Sequence, residues 1–174
     1  IVTTVATTHM LQDIARKYGR RVITTAVGDL VVAKALQEEG GIFGCEENGG
    51  MIFPDFVWGR DGAMAAAYIL HILARHQKPL SEVLQSLPLR YQVKTKITVD
   101  PAKKERILRH IDTLTAQEKN RITIDGYKVV FDDNSWVLIR PSGTEPLLRL
   151  FAESRDREQA ENLVAKFRRH IEEV

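Results

Sequence analysis

Cysteine is almost absent from this 174-residue sequence, where Cys45 stands alone, so an internal disulfide framework is excluded. The sequence has no apolar run of about 18 residues and no signal-like N-terminus, so we expect no membrane contact and favour a cytoplasmic location. Basic residues outnumber acidic ones by only 25 to 23, and no block of Lys or Arg is longer than two residues. Because nucleic-acid partners are recognised by basic stripes, a nucleic-acid or adaptor function is the weakest of the alternatives.

The first half of the chain alternates strand-like and helix-like segments. β-Branched or apolar runs stand at "IVTTV", "RVITT" and "GGIFG", and helical periodicity lies between them, giving the order βαβαβ. This order predicts an α/β domain with a mainly parallel sheet, whose ligands bind at the carboxyl ends of the strands. Asp61 is a predicted N-cap for the segment "GAMAAAYILHILARH", which is apolar on nearly every face and predicts a well-buried helix.

The pattern changes near Pro88. An extended segment, "YQVKTKITV", precedes a helix that Asp100 and Pro101 would begin, and "RITIDGYKVVFDDNSWVLIR" indicates antiparallel strands joined by "DG" and "DDNS" turns. A last amphipathic helix starts at about Asp156. These features predict a small α+β domain with an antiparallel sheet, and they divide the chain into domains 1–88 and 89–174.

Between two predicted strands lies "RPSGTEP", which holds more polar groups than a turn requires. Gly143 suits a turn through its access to positive φ, but a turn does not need Arg140, Ser142 or Thr144. A guanidinium fork, short hydroxyls and a glycine that opens the backbone N–H groups are what a phosphate binds to. From spacing alone, an anion site and an arginine at a strand end beside polar turn residues are equally supported.

The segment "GCEENGG" gives a second candidate site at the end of the predicted third strand. Adjacent carboxylates and an amide can bind sugar hydroxyls, which both donate and accept hydrogen bonds. Two solvated glutamates in a glycine-rich turn are the simpler interpretation of this segment alone. A metal site is not supported, because no second acidic cluster stands at ligand spacing.

Taken together and in this order, the two segments resemble the α-D-phosphohexomutase superfamily, which includes phosphoglucomutases, phosphomannomutases and phosphoglucosamine mutases. In that family the third of four domains carries a sugar-binding loop and the fourth carries a phosphate-binding loop. The resemblance spans essentially the whole chain and implies that the sugar of a hexose phosphate is held by Glu46, Asn48 and Gly49. It also implies a phosphate anchor made of Arg140, Ser142, Gly143 and Thr144, with Asp29 and Arg149 as further candidates.

The resemblance implies an activity that this chain would share with missing N-terminal domains. The family interconverts hexose 1-phosphate and hexose 6-phosphate through a bisphosphate, using a phosphoserine and a Mg²⁺ loop that this sequence lacks. The strand-like start without Met favours a piece of a longer protein. We therefore expect no catalytic residue, metal or cofactor in this chain, and we expect Mg²⁺ and a hexose bisphosphate activator to serve the whole enzyme. A stand-alone sugar-phosphate-binding module is the alternative.

Departures from the family pattern limit what carries over. Asn48 replaces a serine and Gly50 replaces a histidine of many relatives, and Asp29 stands where some relatives place a histidine. Capping of the following helix is therefore the more economical interpretation of Asp29. The carboxylate of Glu145 would repel phosphate, so we expect it to pair with Arg149 or with a neighbouring domain.

Overall fold

Two units make up the fold in the computed structural model, which describes residues 1–143 and 145–174. The first unit is Ile1–Leu89 and the second is Arg90–Val174. None of the helices formed by the described residues is long and apolar enough to cross a bilayer.

The first unit is built around a five-stranded sheet in the order β2-β1-β3-β4-β5. Its elements are, in chain order, β1 (Val2–Thr4), α1 (Met10–Lys17), β2 (Ile23–Thr25), α2 (Asp29–Glu38), β3 (Gly44–Cys45), β4 (Met51–Phe53), β5 (Val57–Arg60), α3 (Gly62–His76) and α4 (Leu80–Gln85). β1 is parallel to both β2 and β3, whereas β4 and β5 form an antiparallel hairpin beside them. The predicted βαβαβ order and parallel pairing are confirmed for the first three strands.

The core of this unit lies between α2 and the sheet. Val32 and Leu36 of α2 are buried against Val2 of β1 and Ile52 of β4. The carboxyl ends of β1, β2 and β3 all lie at the same end of the sheet, because the three strands are parallel. The loops that follow those strands therefore share this end.

The prediction of a well-buried α3 is wrong. The predicted cap is present, since the Asp61 carboxylate accepts a hydrogen bond from the Met64 N–H at 2.8 Å. However, α3 has no buried residue. Its packing on the first unit is confined to one side, where Tyr68 stacks on Phe53 of β4 with ring centroids 4.9 Å apart. An all-round apolar composition predicts burial only if a neighbour covers every face, and no such cover exists among the described residues.

The second unit is a five-stranded antiparallel sheet in the order β6-β10-β9-β8-β7. Its elements are β6 (Tyr91–Thr98), α5 (Pro101–Thr115), β7 (Arg121–Ile122), β8 (Tyr127–Val130), β9 (Trp136–Pro141), β10 (Leu147–Ser154) and α6 (Arg157–Glu172). The predicted cap of α5 is confirmed, because the Asp100 carboxylate accepts the Ala102 N–H. The last helix begins where it was predicted, and the Asp156 carboxylate caps it by accepting the Gln159 N–H. The predicted change from α/β to antiparallel α+β structure is confirmed.

The two faces of this second sheet differ in character. One face forms an apolar core with α5 and α6, centred on Val137, Ile139 and Leu150. The opposite face buries charge, because Lys128 and Glu153 are both at most 2% exposed. The strand register also places Arg149 of β10 directly opposite Arg140 of β9. Since side chains of paired residues lie on the same face of a sheet, the two arginines are neighbours.

Candidate functional site

The "RPSGTEP" segment closes the hairpin between β9 and β10. Ser142 donates its N–H to the Leu147 carbonyl at 3.0 Å, and the Leu147 N–H in turn bonds to the Glu145 carbonyl at 2.8 Å. The Ser142 hydroxyl is 3.2 Å from the Glu145 N–H, whose hydrogen bond it accepts. These bonds hold Ser142, which is buried, immediately beyond the end of β9. Thr144 lies outside the described residues.

Gly143 does not have the conformation that turn chemistry predicted. It is not among the glycines with positive φ, and a Cβ placed on it would meet no described atom within 4 Å. Backbone geometry therefore does not demand glycine here. The absence of a side chain instead leaves open space beside Ser142.

Arg140 and Arg149 are paired in the strand register beside this loop, and each has an acidic partner. Arg140 Nη2 lies 2.9 Å from an Asp125 carboxylate oxygen, and Arg149 Nη2 lies 3.9 Å from Glu145, which confirms the expected Glu145 pairing. The Nε atoms of both arginines are buried and find no hydrogen-bond partner among the described residues. Buried N–H donors are nearly always satisfied, so these two donors call for an acceptor that the described residues do not supply.

A cleft of about 590 Å³ opens beside the loop and is lined by α5 as well as by β9. Lys104 of α5 donates from Nζ to the Ser142 carbonyl at 3.2 Å, which ties the helix to the loop. The same cleft is lined by Glu105, Asp125, Arg140, Ser142 and Gly143. Lys104 therefore adds a third cation to this part of the second unit.

The "GCEENGG" segment forms the turn between β3 and β4 in the first unit. Glu46 donates its N–H to the Gly50 carbonyl at 2.9 Å, and Gly49, with φ of 93°, makes the turn in a conformation that other residues avoid. The exposed Asn48 accepts the Gly50 N–H on its side-chain oxygen at 2.9 Å. Glu46 is only 7% exposed, so its carboxylate is held inside the edge of the sheet and not in solvent.

Glu46 has charged neighbours at the same edge. Burial raises the pKa of its carboxyl group above the usual value, and the Asp29 carboxylate adds to that rise. Arg60 and a hydrogen bond from the Gly28 N–H act in the opposite direction and favour the carboxylate. Asp29 is the first residue of α2 and not its N-cap, which is Gly28. Its carboxylate accepts the Leu30 N–H at 3.0 Å through one oxygen and pairs with Arg60, whose Nε is 3.0 Å from the other oxygen.

Each predicted segment thus collects additional residues that the sequence patterns did not single out. Arg60 lies beside Glu46 and Asp29. Asp125 and Lys104 contact Arg140 and Ser142 of the "RPSGTEP" loop. The predicted "DG" turn contains Asp125, but nothing local to Asp125, Lys104 or Arg60 signalled their partners. No group of three or more His, Cys, Asp or Glu side chains that could hold a metal ion occurs in residues 1–143 and 145–174.

Two family models match this chain, one over each half. Residues 1–91 match the family model described as "Phosphoglucomutase/phosphomannomutase, alpha/beta/alpha domain III", and residues 90–170 match the model for the "C-terminal domain" of the same family. A phosphoglucomutase/phosphomannomutase of Thermococcus kodakarensis is 50% identical over 92% of this chain, which covers 35% of that relative. The chain therefore spans about a third of the length of this curated relative.

Solved structures of phosphohexomutases share the fold of this chain. A phosphoglucomutase/phosphomannomutase family protein from Burkholderia thailandensis is 26% identical with a TM-score of 0.80, over 98% of this chain and 36% of that one. The N-acetylphosphoglucosamine mutase of Aspergillus fumigatus, solved with GlcNAc-6P and magnesium, shares the fold with a TM-score of 0.63 at 15% identity, over 98% of this chain and 38% of that one. With both halves matched in the expected order, this chain belongs to the phosphoglucomutase/phosphomannomutase family.

Proposed function

We propose that this chain is the substrate-holding part of a phosphohexomutase, an enzyme that interconverts hexose 1-phosphate and hexose 6-phosphate through a bisphosphate. The observation that carries the proposal is the pair of buried Nε donors of Arg140 and Arg149 beside the "RPSGTEP" loop. The phosphate that is not being transferred needs a fixed anchor, and because the two phosphates exchange places when the sugar turns over, that anchor holds each of them in turn. Arg140, Ser142, Gly143 and Thr144 supply that anchor, and Arg149 supports it from the neighbouring strand.

The sugar is held by the turn between β3 and β4. Glu46 is positioned by its own backbone bond to Gly50 and offers a buried carboxylate that accepts from sugar hydroxyls. Asn48 and Gly49 lie at the exposed tip of the same turn, where a sugar ring has room to approach. Asp29 is occupied by Arg60, so it contributes through the charge balance around Glu46 and not as a primary hydroxyl ligand.

Mg²⁺ and the phosphoserine belong to the expected longer enzyme. We assign binding and orientation to this chain because its candidate residues offer hydrogen-bond donors to a phosphate and an acceptor to a sugar. When Mg²⁺ is bound elsewhere in the enzyme, it supplies stabilisation of the charge that develops on the transferring phosphoryl group. The hexose bisphosphate activator would use the same two loops as the substrate.

The test is a ¹⁵N–¹H NMR titration of the 174-residue chain with glucose 6-phosphate and, separately, with glucose. Arg140→Ala should weaken glucose 6-phosphate binding by about ten- to a hundredfold, because a charged hydrogen bond contributes roughly 1.5 to 3 kcal/mol. Glucose binding should hardly change in that variant. Glu46→Ala should instead weaken both ligands by a similar factor, since it removes a hydroxyl contact that is independent of phosphate.

Arg157→Ala is the matched control, because Arg157 is an exposed arginine of α6 that pairs with Glu161 away from the loop. It should leave both affinities unchanged. Equal glucose 6-phosphate affinity in Arg140→Ala and in the parent would show that the loop is only a turn. A parent chain that does not distinguish glucose 6-phosphate from glucose would also contradict the proposal.

A further inference from the structure

The turn between β7 and β8 brings Asp125 to the "RPSGTEP" loop. Its carboxylate lies 2.9 Å from Nη2 of Arg140, and the two side chains are only 17% and 12% exposed. Asp125 also lines the cleft that Arg140, Ser142 and Gly143 share. A pair this buried is fixed more tightly than the exposed ion pairs on the helices of the same unit, such as Arg109 with Glu105.

Gly126 fixes where Asp125 can stand. Its φ is 81°, and a Cβ placed on it would lie 2.3 Å from the Ile139 carbonyl oxygen and 2.7 Å from the Arg140 Cα. The turn therefore rests directly on the backbone of β9 at Arg140, and only glycine permits that approach. Tyr127, the next residue, is already in register with Ile139. The position of the Asp125 carboxylate is thus set by the sheet and not by a flexible loop.

The Asp125 carboxylate has two opposite effects on anion binding at Arg140. A carboxylate beside Arg140 cancels part of the positive potential that attracts an anion. At the same time Arg140 stands opposite Arg149 in the strand register, so two like charges tend to push the guanidinium groups apart. A fixed acceptor on the far side of Arg140 holds its guanidinium in one orientation, with the Nε edge left for another acceptor.

We propose that Asp125 is a positioning residue for phosphate binding, which orients the Arg140 guanidinium at the cost of some attraction for the anion. The inference rests on the proposed function, because it assumes that Arg140 anchors a sugar phosphate. Orientation and attraction predict opposite effects when Asp125 is removed. A residue that only lowers the potential would, when neutralised, allow tighter anion binding, whereas a positioning residue would, when truncated, weaken it.

The experiment uses the same titration of the 174-residue chain with glucose 6-phosphate and glucose, applied to Asp125→Ala and Asp125→Asn. Asp125→Ala should weaken glucose 6-phosphate binding roughly tenfold and leave glucose binding unchanged. Asp125→Asn keeps an acceptor oxygen and should recover a large part of that loss. The Arg140 side-chain Nε–Hε cross-peak should be sharp in the parent and in Asp125→Asn, and should broaden or shift to the random-coil position in Asp125→Ala.

Asp132→Ala is the matched control, since Asp132 is an exposed carboxylate in the β8–β9 turn of the same sheet. It should change neither the affinity nor the Arg140 cross-peak. If Arg140→Ala weakens binding but Asp125→Ala and Asp125→Asn bind glucose 6-phosphate as tightly as the parent or more tightly, positioning is refuted and the proposed function stands. If Arg140→Ala itself has no effect, the proposed function fails first. Should Asp125→Ala not fold, Asp125→Ser replaces it as the truncated variant, and binding of glucose 6-phosphate by Asp125→Ser as tight as the parent's or tighter refutes positioning.

Discussion

Lys128 predicts a steep dependence of folding stability on pH in the second unit. Its side chain is almost fully buried, and burial lowers the pKa of its ammonium group to about 7, with Glu153 acting in the opposite direction and Arg90 adding to the decrease. Its Nζ lies 3.9 Å from the centroid of the Trp136 ring. In the unfolded chain the same lysine titrates near its ordinary value of 10.5.

The sign follows from proton linkage. Between pH 7 and 10.5 the unfolded chain binds a proton at Lys128 that the folded chain has released, so the free energy of unfolding rises with pH. The rise should be about 1 kcal/mol between pH 7 and 8 and about 2 kcal/mol between pH 7 and 9. Below pH 7 both states are protonated and the burial cost of the charge is fully present. Set against a typical domain stability of about 5 to 15 kcal/mol, this is a large effect.

The assay is urea unfolding followed by Trp136 fluorescence, in a Trp58→Phe background that leaves Trp136 as the only tryptophan. Lys128→Met should abolish the rise and should be more stable than this parent at pH 7. Cys45 works in the opposite direction, because burial raises the pKa of its thiol, but it belongs to the first unit and is common to both proteins. A flat curve for the parent between pH 7 and 9 would refute the reasoning, and it would mean that Glu153 and the Trp136 ring keep the ammonium charged.

Two further predictions concern the backbone and the activity. Gly126→Ala should destabilise the second unit by roughly 2 kcal/mol or more, through a positive φ and a backbone clash, whereas Gly143→Ala should cost well under 1 kcal/mol; equal urea midpoints for the two variants would contradict the geometry. The 174-residue chain alone should not convert glucose 1-phosphate to glucose 6-phosphate, even with Mg²⁺ and the bisphosphate activator, and turnover by a rigorously purified sample in a coupled assay would overturn its assignment to substrate binding.

Local signals predicted the order of elements well. Helix starts at Asp61 and Asp100 could be predicted because a capping carboxylate acts on N–H groups two or three residues away. The start near Asp156 followed from the apolar face of the last helix. The antiparallel β8–β9 pairing was predicted because its turn residues are adjacent in sequence. What failed were properties that depend on distant groups. α3 is apolar all round, but its burial depends on what packs against it, and composition does not encode that neighbour.

The same limit applies to the candidate site. Arg140 and Ser142 stand in one motif, so sequence alone brought them together. Asp125 and Lys104 reach that motif only through the strand register and the packing of α5, which fold the chain back over many residues. Arg60 reaches Asp29 in the same way, because the carboxyl ends of β5 and β2 lie at the same end of the sheet. A motif therefore located the site, but its charge balance emerged only in three dimensions.

The hydrogen bonds inside the hairpin decide which groups are left for an anion. The N–H of Ser142 is used by the Leu147 carbonyl, and the N–H of Glu145 is used by the Ser142 hydroxyl oxygen. These two N–H groups close the turn, so they do not contribute to an anion-binding nest of the kind that glycine-rich loops form. Arg140 and Arg149 have buried Nε donors that find no partner among the described residues. On the proposed function, affinity for phosphate depends mainly on side chains anchored to two paired strands. Because strands hold side chains more rigidly than loops do, such an anchor would present the same donors to either phosphate of the bisphosphate, whichever way round the sugar lies.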